Sequence, residues 1–174
     1  VAAGHEVVAF SRPRAGVDGA LDAAAVEARL PGAEVRFGDA TALSSVRADG
    51  IRGERFDAMV SCLASRGGGV EDSWRVEHRA NLHLLEAGRE AGLDHFVYLS
   101  AICVQKPLLA FQHAKLAFEE ALRQSEVAHT IVRPTAFFKS LAGQVERVRR
   151  GKPFVVFGDG RLTADDQGRQ RGHQ

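Results

Sequence analysis

Five short runs of β-branched and aromatic residues recur along the chain, and stretches with a helical period lie between them. The runs are Glu6–Phe10, Ala33–Phe37, Ala58–Leu63, His95–Ser100 and His129–Pro134, with Phe154–Gly158 as a shorter sixth. Each is nearly continuously apolar, the pattern of strands buried on both faces of a parallel sheet. The clearest helix runs over Glu71–Gly92, with Trp74, Leu84, Leu85 and Ala87 on one stripe and Gly92 as the stop. A second helix is predicted over Phe111–Ser125, with Phe111, Leu116, Phe118, Ala121 and Leu122 as its apolar residues. Strands alternating with helices predict an α/β fold, a Rossmann-like doubly wound parallel sheet.

The opening of the chain departs from that pattern. A Rossmann-type domain begins with a strand and a Gly-rich turn that sets a pyrophosphate at a helix N-terminus. Here "VAAGHEVVAF" reads instead as a helix end, a glycine turn and then a strand. The Gly-rich "RGGGVED", Arg66–Asp72, precedes a helix but follows a later strand, and reads better as a flexible loop. The sheet is therefore expected to lack its first strand and Gly-rich loop, so that the second and fourth strands of the complete fold lose their shared neighbour. After Thr163 no apolar residue is larger than alanine, and this tail is expected to lie disordered in solvent. Both features read as those of a fragment, with little or no turnover expected from the 174 residues alone.

A net charge of +1 gives no electrostatic case for nucleic acid. The basic cluster Val145–Lys152 reads as a solvated helix end. No apolar run approaches the ~20 residues of a bilayer span. No basic-then-apolar leader opens the chain, and no metal-ligand spacing is present. Cys62 and Cys103 both sit in apolar strings and are expected to be buried free thiols in a reducing compartment.

In "AFQHAKLAFEE", Phe111 and Lys115 stand four residues apart and share a helical face. That stretch, with "GHEVVAFSRPRAG", "FGDAT", "SCLASR", "ANLHLLEAGREAG" and "TIVRPTAFFKSLAGQ", resembles the NmrA-like atypical short-chain dehydrogenases/reductases in order and spacing, over nearly all of Gly4–Leu162. Within that superfamily, "LSAICVQKPLLAFQHAKLAFE" and "RPTAFFKSLAGQ" resemble the divinyl (proto)chlorophyllide 8-vinyl reductases of chlorophyll and bacteriochlorophyll synthesis. The resemblance implies a partial NAD(P)-binding Rossmann domain over residues 1–162 and a polar tail over 163–174. It further implies NADPH as cofactor, divinyl chlorophyllide or protochlorophyllide as tetrapyrrole substrate, and reduction of the 8-vinyl group to ethyl. The expected setting is a bacterial cytoplasm, peripheral to a photosynthetic membrane.

Site residues follow from the same resemblance. In these folds the residue after the second strand faces the adenosine ribose, where a carboxylate holds a 2′-hydroxyl and an arginine a 2′-phosphate. Ser11, Arg12, Pro13 and Arg14 stand there with no acid beside them, which favours NADPH over NADH; a solvated basic turn is the alternative. Asp39 and Ala40 are expected to border the adenine, and Asp39 could also cap the next helix. Leu63, Ala64 and Ser65 would lie along the cofactor or simply close a strand-end turn. Ser100 and Ala101 end a strand where such enzymes often carry a serine. Pro134 and Thr135 would approach the nicotinamide carboxamide, with Phe137 and Phe138 as pocket wall or as core. Lys115 is the one catalytic candidate, since in the wider family such a lysine bonds the nicotinamide ribose and lowers the pKa of a tyrosine; a surface lysine is the other reading.

Phe111 stands where that tyrosine would. A carbonyl reduction leaves an alkoxide that needs an acid nearby, and phenylalanine has no proton to give. Hydride addition to a conjugated carbon–carbon double bond leaves a carbanion spread over the conjugated system, which suits a vinyl group on a macrocycle. His113 lies about 200° around the helix from Lys115 and points elsewhere. A non-catalytic NADP-binding sensor with a protein partner, and a reductase of another conjugated double bond, fit the lost tyrosine as well.

Overall fold

A computed structural model describes residues 3–14, 21–66, 69–135 and 138–153. The sixth candidate strand, Gly67, Gly68, Phe137 and the polar tail lie outside the described residues. Five strands form: β1 Val8–Ser11, β2 Glu34–Phe37, β3 Ala58–Ser61, β4 His95–Leu99 and β5 Ala128–Val132. The helices are α1 Ala23–Glu27, α2 Leu43–Ser45, α3 Val70–Ser73, α4 Ala80–Glu90, α5 Ala110–Gln124 and α6 Phe138–Arg149. Wide π turns extend α2 over Val46–Ile51 and join α3 to α4 over Trp74–Arg79.

All pairing is parallel. β1 lies beside β2, with Val8 opposite Glu34 and Ser11 opposite Phe37. The order β3-β4-β5 makes a second sheet, with Ser61 opposite Tyr98 and Tyr98 opposite Ile131. Among the described strands β1 and β3 are not paired, so the sheet is in two pieces where the sequence predicts a lost neighbour.

The register sets Met59, Phe96 and His129 in one row and Ser61, Tyr98 and Ile131 in the next, all on one face. Helices α4 and α5 cover that face. Phe96, Tyr98, Phe118 and Leu122 are fully buried there, with Leu85, Leu93 and Val127 around them. The Phe118 ring meets Tyr98 edge-on at 4.7 Å between centroids and Phe96 at 5.7 Å. The opposite face leaves Val60 65% and Val132 41% exposed. Burial on both faces, expected from the apolar runs, thus fails for this sheet, because its covering helices pack on one side and β3 is an edge. Cys62 follows β3 directly and is exposed and free, not buried as expected. The Cys103 side chain lies outside what is described.

Trp74 also departs from expectation, at 37% exposed. The π turn adds a residue to the helical repeat, so positions before it fall out of phase with those after it. Asn81 holds the turn open: its Nδ2 donates to the carbonyl of Glu77 at 2.9 Å and of Val76 at 3.3 Å. The residues buried toward the sheet are Ser73, Glu77, Ala80 and Asn81. Gly92 ends the helix at φ 75° as predicted, with the Leu93 N–H returning to the Gly88 carbonyl at 2.9 Å. The basic cluster closes α6 in solvent, where Arg150 pairs with Glu146 at 2.8 Å.

Phe118 is the ring on which this core converges. Phe118→Ala is expected to lower unfolding free energy by about 3–5 kcal/mol, read by urea titration.

Candidate functional site

Parallel strands bring their C-terminal ends to one edge of each sheet, the edge beyond which open α/β sheets bind ligands. A groove of about 890 Å³ lies there. Ser11, Arg12, Pro13 and Arg14 line it from the end of β1, Asp39 and Ala40 from the end of β2, and Leu63 and Ala64 from beyond β3. One groove therefore joins seven of the residues singled out from the sequence and named here as candidates: Ser11, Arg12, Arg14, Asp39, Ala40, Leu63 and Ala64. Arg66, Asp72 and Arg75 also line it and were not legible. Arg75 pairs with Asp72 at 2.8 Å in helical spacing, which in sequence looks like any solvated helix face. Arg12 and Arg14 are exposed and form no ion pair among the described residues.

Close packing shapes this groove. A side chain at Gly38 would place its Cβ 2.6 Å from the Phe10 ring. Glycine there lets the ring lie against the backbone and sets the ends of β1 and β2 side by side. Asp39 does not cap the next helix: the cap position is Ala42, and Asp39 Oδ1 instead accepts from the Thr41 hydroxyl at 2.7 Å and the Thr41 N–H at 2.8 Å. Those hydrogen bonds, helped by Arg75 and Arg12 nearby, hold the Asp39 carboxyl below the usual range.

The remaining candidates sit apart from the groove, around buried charge. Lys115 is 6% exposed, so it is not a surface lysine. Its Nζ lies 2.8 Å from Glu77 Oε2, donates to the Leu99 carbonyl at 3.1 Å, and stands 5.2 Å from the centre of the Tyr98 ring. Glu77 Oε1 accepts from the Ser65 N–H at 2.8 Å and from its hydroxyl at 3.1 Å. Ser65 thus joins Lys115 through Glu77.

A second buried carboxylate lies one turn along α5. Glu119 is fully buried. It accepts from the Ser100 hydroxyl at 2.6 Å, Arg123 at 2.7 Å and Arg133 Nε at 3.0 Å, and Arg133 Nη2 closes the fork. Burial pushes the Glu119 carboxyl up, but the hydrogen bonds from Arg133, Ser100 and Arg123 outweigh it and hold the group below its ordinary value. Ala101 follows Ser100, and the Ile102 N–H donates to the Pro134 carbonyl at 3.1 Å, which ties the loop after β4 to the Pro134–Thr135 segment after β5.

The arrangement is poor in proton donors for a substrate oxygen. Phe111 is half-buried and has none, and His113 is exposed. The single hydroxyl proton of Ser100 is directed to Glu119. Tyr98 is fully enclosed, and burial, with Glu77 and Glu119 nearby, pushes its phenol far up. Glu77, Asn81, Glu119 and Arg133 were missed from sequence; the spacings of four between Glu77 and Asn81, and between Lys115 and Glu119, were the available signal.

Residues 1–166 match the NAD(P)H-binding protein family. The chain is 56% identical over 166 residues to the chloroplastic divinyl chlorophyllide a 8-vinyl-reductase of Oryza sativa subsp. indica, covering 92% of this chain and 41% of that protein. It therefore spans about two-fifths of the length of the curated relatives it matches. In fold it is similar to Bordetella bronchiseptica WbmG in complex with NAD, at TM-score 0.68 and 15% identity, over 86% of this chain and 53% of that one. The triphenylmethane reductase of Citrobacter sp. complexed with NADP(H) gives TM-score 0.60 and 20% identity, over 82% of this chain and 44% of that one. The parallel strands and flanking helices are those of a Rossmann-like NAD(P)-binding fold.

The Glu119 network has a pH signature. A carboxyl held low in the fold stabilises it above the unfolded pKa, and that contribution is lost as pH falls through the folded value. Glu119→Gln is expected to flatten the acid limb of the stability curve below about pH 4. At pH 7 it is expected to cost about 3 kcal/mol, since Arg133 loses its counter-charge and Arg123 keeps only Glu120 at 3.7 Å. Urea unfolding between pH 3 and pH 7 reads both effects.

Proposed function

The chain belongs to the NAD(P)H-binding family, and from that premise we propose that it forms the cofactor-binding part of an NADPH-dependent reductase. The reaction is reduction of the 8-vinyl group of divinyl chlorophyllide or protochlorophyllide to ethyl. The observation that carries this reading is Phe111, four residues before a buried Lys115, together with a Ser100 whose proton is already committed. A carbonyl reductase needs a donor at that place. A vinyl group conjugated to a macrocycle does not, because charge left by hydride addition spreads into the ring system. The 56% identity to the rice reductase supports the same choice of substrate.

The residues fit a phosphorylated dinucleotide. Arg12 and Arg14, with Ser11, offer charged donors at the rim of the groove to a 2′-phosphate. Asp39 and Ala40 border the adenine, and Leu63 and Ala64 let the cofactor lie close to the backbone. Lys115 bonds the nicotinamide ribose. Ser100, Ala101, Pro134 and Thr135 line the nicotinamide end, and Ser65 acts through Glu77. When bound, the cofactor supplies the hydride; these side chains orient it and exclude water. Among the described residues no helix is long and apolar enough to cross a membrane. The reaction is proposed for a bacterial cytoplasm, at the surface of a photosynthetic membrane that holds the pigment.

The full-length protein with NADPH and divinyl protochlorophyllide or chlorophyllide is expected to convert the divinyl Soret band to the monovinyl one. Binding of NADPH with no turnover of either pigment would overturn the reading in favour of a cofactor sensor. Arg12→Ala with Arg14→Ala is expected to raise KM for NADPH about 10- to 100-fold while that for NADH changes little, since only the phosphate contact is lost. An equal rise for both cofactors refutes the phosphate role.

A further inference from the structure

We propose that Glu77 is a positioning residue that balances the charge of Lys115 and thereby sets the relative affinity of the site for oxidised and reduced cofactor. The inference rests on the reading that Lys115 faces the nicotinamide ribose. Glu77 and Lys115 are both almost wholly enclosed, with side chains 3% and 8% exposed, and their charged atoms are 2.8 Å apart. An ammonium has three N–H donors. The Leu99 carbonyl accepts one of them, and Glu77 Oε2 meets the ammonium as a charge pair without the alignment of a hydrogen bond, so donor capacity is left for a ribose hydroxyl. The other oxygen of Glu77 is fixed by the Ser65 N–H and hydroxyl, so the carboxylate cannot swing away. Asn81 in turn holds the π turn on which Glu77 is carried.

The consequence is electrostatic. Oxidised nicotinamide carries one positive charge that the reduced ring lacks. An unbalanced lysine beside the ribose repels the oxidised ring alone, whereas a lysine–glutamate pair is neutral toward both. Among the described residues no other nearby acid substitutes for Glu77, because Glu119 already faces Arg123, Arg133 and the Ser100 hydroxyl. Within a few ångströms and at the effective dielectric of a protein site, one uncompensated charge shifts an affinity by about tenfold or more.

The test is the ratio of Kd for NADP⁺ to Kd for NADPH, measured on the full-length protein by nucleotide fluorescence and calorimetry. Glu77→Gln, which keeps the shape and one acceptor, is expected to raise the ratio about tenfold. Lys115→Met leaves the carboxylate unbalanced and is expected to lower the ratio by a similar factor. The double variant is expected to return it close to the starting value. If Glu77→Gln weakens both cofactors equally while Lys115→Met lowers the ratio, Glu77 is only a structural support and the inference falls, with the Lys115 reading intact. If Lys115→Met changes neither affinity, Lys115 does not face the cofactor and both fall. Should Glu77→Gln fail to fold, Lys115→Met and the double variant decide, because the double variant leaves no unpaired buried charge; a ratio that the double variant does not restore refutes the proposal.

Discussion

Two carboxylates buried against one face of a parallel sheet have to be satisfied, and much of the local architecture follows from how they are. A buried charge with no partner costs several kcal/mol, on the order of a large part of a domain's stability. Glu77 meets Lys115 and Ser65; Glu119 meets Arg123, Arg133 and Ser100. Each set draws on segments far apart in the chain: the loop after β3, the π turn before α4, the middle of α5 and the ends of β4 and β5. The pairs therefore lock the ends of three strands to two helices. The apolar cluster of Phe96, Tyr98, Phe118 and Leu122 lies beneath them and supplies the burial that makes the locks strict.

That arrangement explains what could be read in the sequence and what could not. Strand existence was legible because the apolar runs are dense, and all five appear within one or two residues of their expected ends. The parallel sheet was legible from the alternation of strands and helices, and among the described strands β1 and β3 are unpaired, as expected. Burial was legible less well. Val60 belongs to an apolar run but faces solvent, since a run cannot show which strand lies at an edge. Trp74 was placed on an α-helical phase that the π turn breaks; the Asn81 amide there donates to carbonyls of its own helix while its oxygen accepts from the Ser61 hydroxyl of β3, a tertiary contact that no local pattern shows. Glu77 and Glu119 went unmarked in the sequence, because charge at helical spacing is usually a solvated face. Their partners come from other elements, and no local pattern announces them.

The same networks narrow the chemistry. On the proposed reading, two groups that the wider family uses on an oxygen are here absent or engaged: Phe111 stands in place of the tyrosine, and the Ser100 proton goes to a carboxylate. What survives is the positioning apparatus, a lysine held at a fixed place and a basic rim on the groove. An active site of this kind can bind and orient without supplying an acid. That division suits a substrate whose own conjugation stabilises the charge that a hydride leaves behind.

The groove itself depends on a joint between the two sheets. β1 and β2 line one side, and the loop after β3 with α3 and its π turn lines the other. Among the described strands no ladder connects β1 to β3. The connection is apolar instead: Phe10 and Met59, one from each sheet, pack with Leu84 around Val46, Ile51 and Ala87. Dispersion and burial are less directional than a hydrogen-bonded ladder. A joint of that kind fixes the distance between the sheets more firmly than their relative twist. Gly38 and Gly50 restrict the twist, because the Phe10 ring rests on both, and any side chain at Gly38 would force the ring, and β1 with it, away from the groove. The position of Arg12 and Arg14 relative to Leu63 and Ala64 is thus set by how one ring fits on two glycines. Electrostatics supplies the affinity that the proposed cofactor site needs, and close packing at Phe10 decides where that affinity is applied.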